Sequence, residues 1–432
     1  MTHHSCASDT HVHTLPNGVR VLTLVLPHLQ SACVSVFVRA GSRHETARQN
    51  GISHVVEHMA FKGTATRDCQ RINLEAELLG AEVNAHTDKD HTAFHMRGLA
   101  RDAGAFVRML GDIVLNGSFP AAELEREREV ILQELLEDDD DALAAAFRLF
   151  DQICFGRHAL AQPVIGQRRN IERFTREELL SYVQLQYCGA NTIVAIAGPV
   201  DPQAMVREAE AIFSAMPAGT PSQLDAPQHL GGIATRRQSG CSQTHVVLGF
   251  PTPTLLQDEA APAVLAATLF GEGMSSPLLD QVRERQALVY HASCSADLSD
   301  LSGQFVIEAS TTPDHLEAFI DTVTRLLRQQ ADAIDPVQLQ RARQQLQVRS
   351  LRQFERPMRR LEVAALDLYT FGRVRSREEW QARLDAVDAA AVQREFQRLL
   401  SSPVALAIAG KVPTGTKERA AGWAERLRAR VA

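Results

Sequence analysis

The chain has 432 residues, of which 45% are apolar, 22% charged and 5% aromatic, which is the composition of a folded globular protein and not of a disordered one. Its 45 Lys and Arg stand against 52 Asp and Glu, a formal charge of −7, so there is no overall basic field to gather nucleic acid or an anionic membrane. The most apolar stretches, residues 19–27 and 404–410, fall far short of the ~20 residues that cross a bilayer, which excludes a membrane-spanning helix.

The opening MTHHSCASDTHVHTLPNG has neither a basic n-region nor an apolar h-region, so it does not read as a secretory signal and the expected location is cytoplasmic. The seven cysteines (Cys6, Cys33, Cys69, Cys154, Cys188, Cys241, Cys294) are scattered and never form a CxxC pair. They are expected to be reduced thiols that pack as small hydrophobes. An Asn17-Gly18 turn opens two predicted strands, 18–26 and 32–39.

Residues 51–63, GISHVVEHMAFKG, carry the sharpest chemical signal. On a helical wheel with His54 at 0°, Glu57 falls at about −60° and His58 at about +40°, so the three share one face. Ile52, Val55, Val56 and Met59 lie opposite, and this apolar stripe anchors the helix while two imidazoles and a carboxylate are presented from its other side. Histidines at i and i+4 are spaced to bridge one Zn²⁺, and the intervening Glu57 is placed beside a bound water as general base.

Residues 82–87 and 91–97 then read as a hairpin around Asp88, Lys89 and Asp90. Its spacing of His86, His91 and His95 suits no single coordination geometry, so these are expected at the surface or rim. Residues 103–116, 121–137 and 142–153 are helical by apolar spacing. A catalytic zinc needs a third protein ligand, and the second of these helices offers Glu123, Glu125, Glu127, Glu129, Glu134 and Glu137. Composition does not choose among them. Periodicity narrows the choice: Val130, Ile131 and Leu135 mark the expected buried side, Glu127 and Glu134 sit two turns apart on one stripe, and a carboxylate flanked by Ile131, Leu135 and Leu136 calls for a cation. The run Glu137–Asp141 reads as a solvated helix end.

The second half repeats the first. Residues 174–200, FTREELLSYVQLQYCGANTIVAIAGPV, correspond to 387–412, VDAAAVQREFQRLLSSPVALAIAGKV, at offsets of 213 in the helix and 212 in the strand. Thr175 and Asp388 occupy the same N-cap position, and Thr175 with Glu178 forms a capping box. LEREREVILQELL at 124–136 likewise corresponds to LQRARQQLQVRSL at 339–351. Two related domains are therefore expected in place of the three that length alone suggests, 1–215 and 233–432, joined by a Pro- and Gly-containing linker at 216–232. Strands grouped on hairpins, with helices between and after them, give an α+β class: two αβ-sandwich domains, each an antiparallel-rich sheet covered by helices.

HVVEH followed by AFKGT, then NAHT at 84–87 and EREREVILQE ending at Glu134, resembles the pitrilysin-type inverzincin metallopeptidases, in the half-length branch that includes mitochondrial processing peptidase subunits. The resemblance runs from the LPNGVRVL strand to the last AIAG. It implies that His54, His58 and Glu134 bind one Zn²⁺ per chain, that Glu57 activates water and that Glu127 supports the ligands. It also implies that Asn84 and Ala85 lie on an edge strand that receives peptide substrate by strand addition. In LLDQVRERQALVYHAS, Arg283 and Tyr290 match the family's Arg and Tyr pair, which faces the zinc and stabilises the oxyanion. With Gly273 set against Gly51, Ser276, Leu279 and Asp280 stand where the first repeat has His54, Glu57 and His58, and Arg349 stands against Glu134, so the second repeat lacks the metal set.

The expected function is zinc-dependent endopeptidase action on peptides or unfolded segments. The half-length chain, half of a clam-shell chamber, is expected to close it as a homodimer in preference to a heterodimer with a related subunit, with no nucleic-acid partner. The alternatives are a non-catalytic scaffold or binding subunit of the same fold and a dedicated leader- or targeting-peptide protease.

Overall fold

The computed structural model describes residues 9–428 and contains two compact units. Cys6, His3 and His4 lie outside the described residues. One unit takes the chain up to Leu135, then Gln162–Leu224 and Gln353–Val374; the other takes Leu136–Ala161, Asp225–Arg352 and the rest.

In the first unit, β1 (Thr10–Thr14), β2 (Arg20–Val25) and β3 (Ser31–Val38) lead into helix α1 (Ile52–Ala60) and helix α2 (Cys69–Leu78). The hairpin of β4 (Glu82–Thr87) and β5 (Thr92–Leu99) follows, then α3 (Ala103–Leu115), α4 (Ala121–Asp140) and, in the other unit, α5 (Ala142–Phe155). β6 (Thr192–Gly198) completes a six-stranded sheet in the order β1-β2-β6-β3-β5-β4. β6 pairs parallel with β2 and antiparallel with β3, and every one of its residues is buried, because TIVAIAG is covered on both faces. Val194 and Ile196 pack with α1, α3 and α4, whereas Ile193, Ala195 and Ala197 pack with Leu361, Ala364, Ala365 and Leu368 of the helix Pro357–Phe371.

The second sheet holds β7 (Gly232–Arg237), β8 (Thr244–Thr252), β9 (Val289–Leu298), β10 (Gly303–Thr311) and β11 (Ala405–Gly410), in the order β7-β11-β8-β10-β9. Its order is that of the first sheet without β1, and β11 repeats β6 by pairing parallel with β7 and antiparallel with β8. The helix caps repeat as well: Thr175 Oγ1 accepts from Glu178 N, and Asp388 accepts from Ala391 N three residues into its own helix. One difference from contiguous halves is instructive. The helix that follows α4 in the first half, α5, packs Ala145, Ala146 and Phe150 on Val247, Val306 and Ala407 of the second sheet, while its counterpart Pro357–Phe371 covers the first sheet. Each half thus lends the other's sheet the helix that covers its second face.

The α+β class expected from the sequence is the class observed. Three of the six described cysteines, Cys33, Cys154 and Cys188, are buried and Cys69, Cys241 and Cys294 partly so, all free. The acidic run is more than a solvated end: Arg148 bridges Asp138 and Asp139, and Asp141 caps α5 by accepting from Leu143 N and Ala144 N.

Because Leu361 is fully buried against the first sheet, Leu361→Ala is expected to destabilise that unit by about 2–5 kcal/mol, read as a lower urea midpoint of its unfolding transition.

Candidate metal centre

α1 begins at Gly51, whose φ of +99° is left-handed and whose missing side chain lets Gly166 approach: a Cβ there would come within 2.8 Å of Gly166 Cα. The open amides of the first turn are met by Glu45, which accepts from Gly51 N (2.8 Å), Ser53 N (2.8 Å) and Asn50 Nδ2 (3.0 Å). Burial pushes the Glu45 carboxyl up, opposed by those hydrogen bonds. Ser53 also shares a 2.7 Å hydrogen bond with the buried Tyr182 hydroxyl. Ile52, Val55, Val56 and Met59 enter the same core as Ile131 and Leu135 of α4. The helix is therefore fixed at its start and along its apolar stripe, and its polar face is aimed at α4.

On that face the rings of His54 and His58 meet edge to face, with centroids 4.7 Å apart. Glu134 reaches them from α4, its Oε2 lying 3.7 Å from His54 Nε2 and 3.4 Å from His58 Nε2. These separations are too long for good hydrogen bonds. They match the spacing of about 3.3–3.4 Å between neighbouring ligand atoms on a tetrahedral ion with bonds of about 2.0–2.1 Å. Burial, then the neighbouring His58, lowers the pKa of His54 to about 4, so this imidazole stays in the neutral form that offers a lone pair. Of the carboxylates gathered here, Glu127 is paired with the Lys62 ammonium, whereas Glu57 and Glu134 adjoin His58 and each other. The donor set and its charge fit a divalent cation.

Around the three donors the supporting contacts are specific. His58 Nδ1 lies 3.1 Å from Glu127 Oε2, and Lys62 Nζ holds the other oxygen of Glu127 at 2.6 Å. A proton on Nδ1 donated to Glu127 leaves Nε2 as the free acceptor, the tautomer a metal requires. Thr87, at the end of β4, donates its hydroxyl to Glu57 Oε2 at 2.6 Å, which leaves Oε1 of Glu57 free. Burial raises the pKa of Glu57, with the Thr87 hydrogen bond and His58 opposing and Glu134 adding to the rise.

Of the residues singled out by sequence, His54, Glu57, His58, Glu127 and Glu134 come together here. Asn84 and Ala85 lie on β4, the edge strand of the first sheet, which is paired only on its β5 side; Ala85 N donates to Asn84 Oδ1 at 2.8 Å. Arg283 and Tyr290 belong to the other unit. There the guanidinium of Arg283 sits 6.0 Å from the Tyr290 ring centroid, and Tyr290 is 81% exposed. The second unit's counterparts of the donor set are committed elsewhere: Arg349 pairs with Glu272 at 2.6 Å, Asp280 accepts from Arg285 Nε at 2.8 Å, and Ser276 caps a short helix. Sequence reasoning missed Lys62, Thr87 and Glu45. Lys62 had a signal, standing four residues after His58 as His58 stands after His54.

Residues 20–168 match the Insulinase (Peptidase family M16) domain, and residues 173–346 match the domain described as Peptidase M16 inactive domain. An uncharacterized zinc protease of Rickettsia bellii is 30% identical over 400 residues, covering 92% of this chain and 97% of the relative. The chain belongs to peptidase family M16. The M16 likeness extends to the beta subunit of the Lentinula edodes mitochondrial-processing peptidase, 34% identical over 268 residues, which is 62% of this chain and 55% of that one. A crystal structure of a Helicobacter pylori protease shares the fold, with a TM-score of 0.84 at 19% identity, covering 92% of this chain and 98% of the other. As an M16 chain with relatives described as zinc proteases, it is zinc protease-like, and among the described residues no helix is long and apolar enough to cross a membrane.

Removing the carboxylate that holds His58 is expected to weaken the centre without dismantling it: Glu127→Ala should lower zinc affinity by about 10–100-fold, measured by competition with a chromogenic chelator.

Proposed function

We propose that this M16 chain is a zinc-dependent endopeptidase that cleaves peptides or unfolded segments, with one catalytic Zn²⁺ per chain. The observation that carries this reading is the position of the Glu134 carboxylate, whose Oε2 lies 3.4 Å from His58 Nε2 and 3.7 Å from His54 Nε2, longer than a good hydrogen bond and near the spacing of neighbouring ligand atoms on one ion. His54 Nε2, His58 Nε2 and Glu134 would hold the ion, and Glu127 with Lys62 would hold His58. Zinc bound there would supply a Lewis acid that lowers the pKa of a water towards ~7 and polarises the scissile carbonyl.

The remaining steps fall to the chain's own groups. Thr87 occupies Oε2 of Glu57, so Oε1 is the atom that takes the proton of the attacking water and returns it to the leaving amine. Burial raises the Glu57 carboxyl towards the range in which it can do both. The open edge of β4 at Asn84 and Ala85 is suited to receive an extended substrate through main-chain hydrogen bonds, which demands little of substrate side chains. Tyr290, exposed and with the Arg283 guanidinium 6.0 Å from its ring centroid, is suited to donate to the developing oxyanion, and we assign it that role across the interface of a homodimer.

Glu57→Gln is expected to keep its zinc, by mass spectrometry, while hydrolysis of a fluorogenic peptide falls about 10²–10⁴-fold; the wild-type activity should vanish with chelator and return with zinc. Full activity in Glu57→Gln would refute the assigned base. For the interface role, a His58→Ala chain mixed with an Arg283→Ala/Tyr290→Phe chain should regain activity, since each mixed dimer holds one complete site. No recovery in a verified mixed dimer would contradict it.

A further inference from the structure

The β4–β5 hairpin carries three histidines that the centre described above does not use, and the structure does not place them all at a rim. His91 is fully buried, edge to face with His86 at a centroid separation of 5.4 Å and 5.5 Å from Phe37. Neither of its ring nitrogens has a hydrogen-bond partner. Asp88 Oδ2 lies 3.2 Å from His91 Nδ1, but not in hydrogen-bonding geometry. A buried imidazole with both nitrogens unsatisfied costs free energy unless something binds it.

Glu362, on the helix Pro357–Phe371, supplies the missing chemistry. One ligand atom from each of His86, His91 and Glu362 can be chosen so that all three lie within 4.8 Å of one another. Arg359 Nη1 donates to Oε2 of Glu362 at 2.6 Å, which leaves Oε1. His86 and Glu362, two of the three donors, line a cavity of about 720 Å³ that also borders His95, Arg97 and Arg356, so an ion can reach them from it. Two imidazoles and one carboxylate are the donor set of a borderline divalent ion of the zinc type. Closing the donors to the spacing of about 3.3 Å around such an ion asks about 1.5 Å of movement at most, which the partly exposed side chains of His86 and Glu362 can supply.

We propose that His86, His91 and Glu362 form a second divalent-cation site, taking Zn²⁺ and separate from the one on α1. Its three donors come from the β4–β5 hairpin and from the helix that the second half of the chain lends to the first sheet. An ion there ties that helix to β4. His86 immediately precedes Thr87, and successive residues of a strand point to opposite faces, so Thr87 holds Glu57 on one side of β4 while His86 meets the ion on the other. Occupancy would fix the strand that carries both Asn84–Ala85 and the hydrogen bond to Glu57. The inference does not rest on the peptidase reading, because its donors are present whatever the chain hydrolyses.

The test uses the full chain, stripped with chelator and re-equilibrated with Zn²⁺, with metal content measured by mass spectrometry and thermal melting followed in parallel. The wild type is expected to hold roughly two equivalents, and His54→Ala/His58→Ala roughly one, with a melting temperature that still rises on adding Zn²⁺. Adding Glu362→Gln, which keeps the side chain's shape, should remove both the remaining equivalent and the rise. His86→Gln should do the same without touching the buried His91. Absence of zinc from a folded His54→Ala/His58→Ala protein, or metal content and melting shift unchanged by Glu362→Gln and His86→Gln, would overturn the proposal.

Discussion

A carboxylate oxygen held 3.4 and 3.7 Å from two imidazole nitrogens, beyond good hydrogen-bonding distance of either, is an arrangement that a shared cation would complete. That arrangement has to be maintained by the rest of the fold, since the donors gain little from each other. α1 is clamped at its start by Glu45 and Tyr182, and along its length by the core it shares with α4. α4 in turn places Glu127 and Glu134 two turns apart, one to orient His58 and one to approach both rings. Removing the apolar stripe Val55, Val56 and Met59, or its partners Ile131 and Leu135, would let the polar faces drift apart without altering a single donor.

β4 joins this centre to the sheet. Its odd residues Val83 and Ala85 pack into the helical core and Thr87 reaches Glu57, while Asn84 and His86 face the other way. One short edge strand therefore serves the centre on one face, offers open main-chain groups along its rim, and presents His86 to Glu362 on the opposite face. The helix exchange matters for the same reason: without Pro357–Phe371 the second face of the first sheet would have no cover and Glu362 no position.

Much of this was legible in the sequence where the signal is local and periodic. The 3.6-residue phase of His54, Glu57 and His58 against Ile52, Val55, Val56 and Met59 is a property of eight consecutive residues, and α1 runs over them. The hairpin strand at 82–87 was readable from alternation around Asp88–Asp90, and the helices after residue 103 from apolar spacing. Choosing Glu134 from six acids was not possible by periodicity alone, because Glu127 shares its stripe; only the family likeness separated the ligand from its support. What stayed hidden depended on long-range pairing. Glu45 caps a helix from outside it, Thr87 reaches a carboxylate 30 residues back, and Glu362 approaches His91 from a helix 271 residues further along the chain. No hairpin pattern reveals that His91 is buried, since the ring beside it, Phe37, lies on β3, some 50 residues earlier in the chain.

The central claim is that one ion is shared by residues of α1 and α4. Anomalous diffraction from zinc-soaked crystals, recorded on both sides of the zinc absorption edge, tests it directly. The account predicts a peak at bonding distance from His54 Nε2, His58 Nε2 and a Glu134 oxygen. A zinc-replete crystal with no peak between those atoms, or with the Glu134 carboxylate turned away from the rings and no other acid in its place, would contradict it.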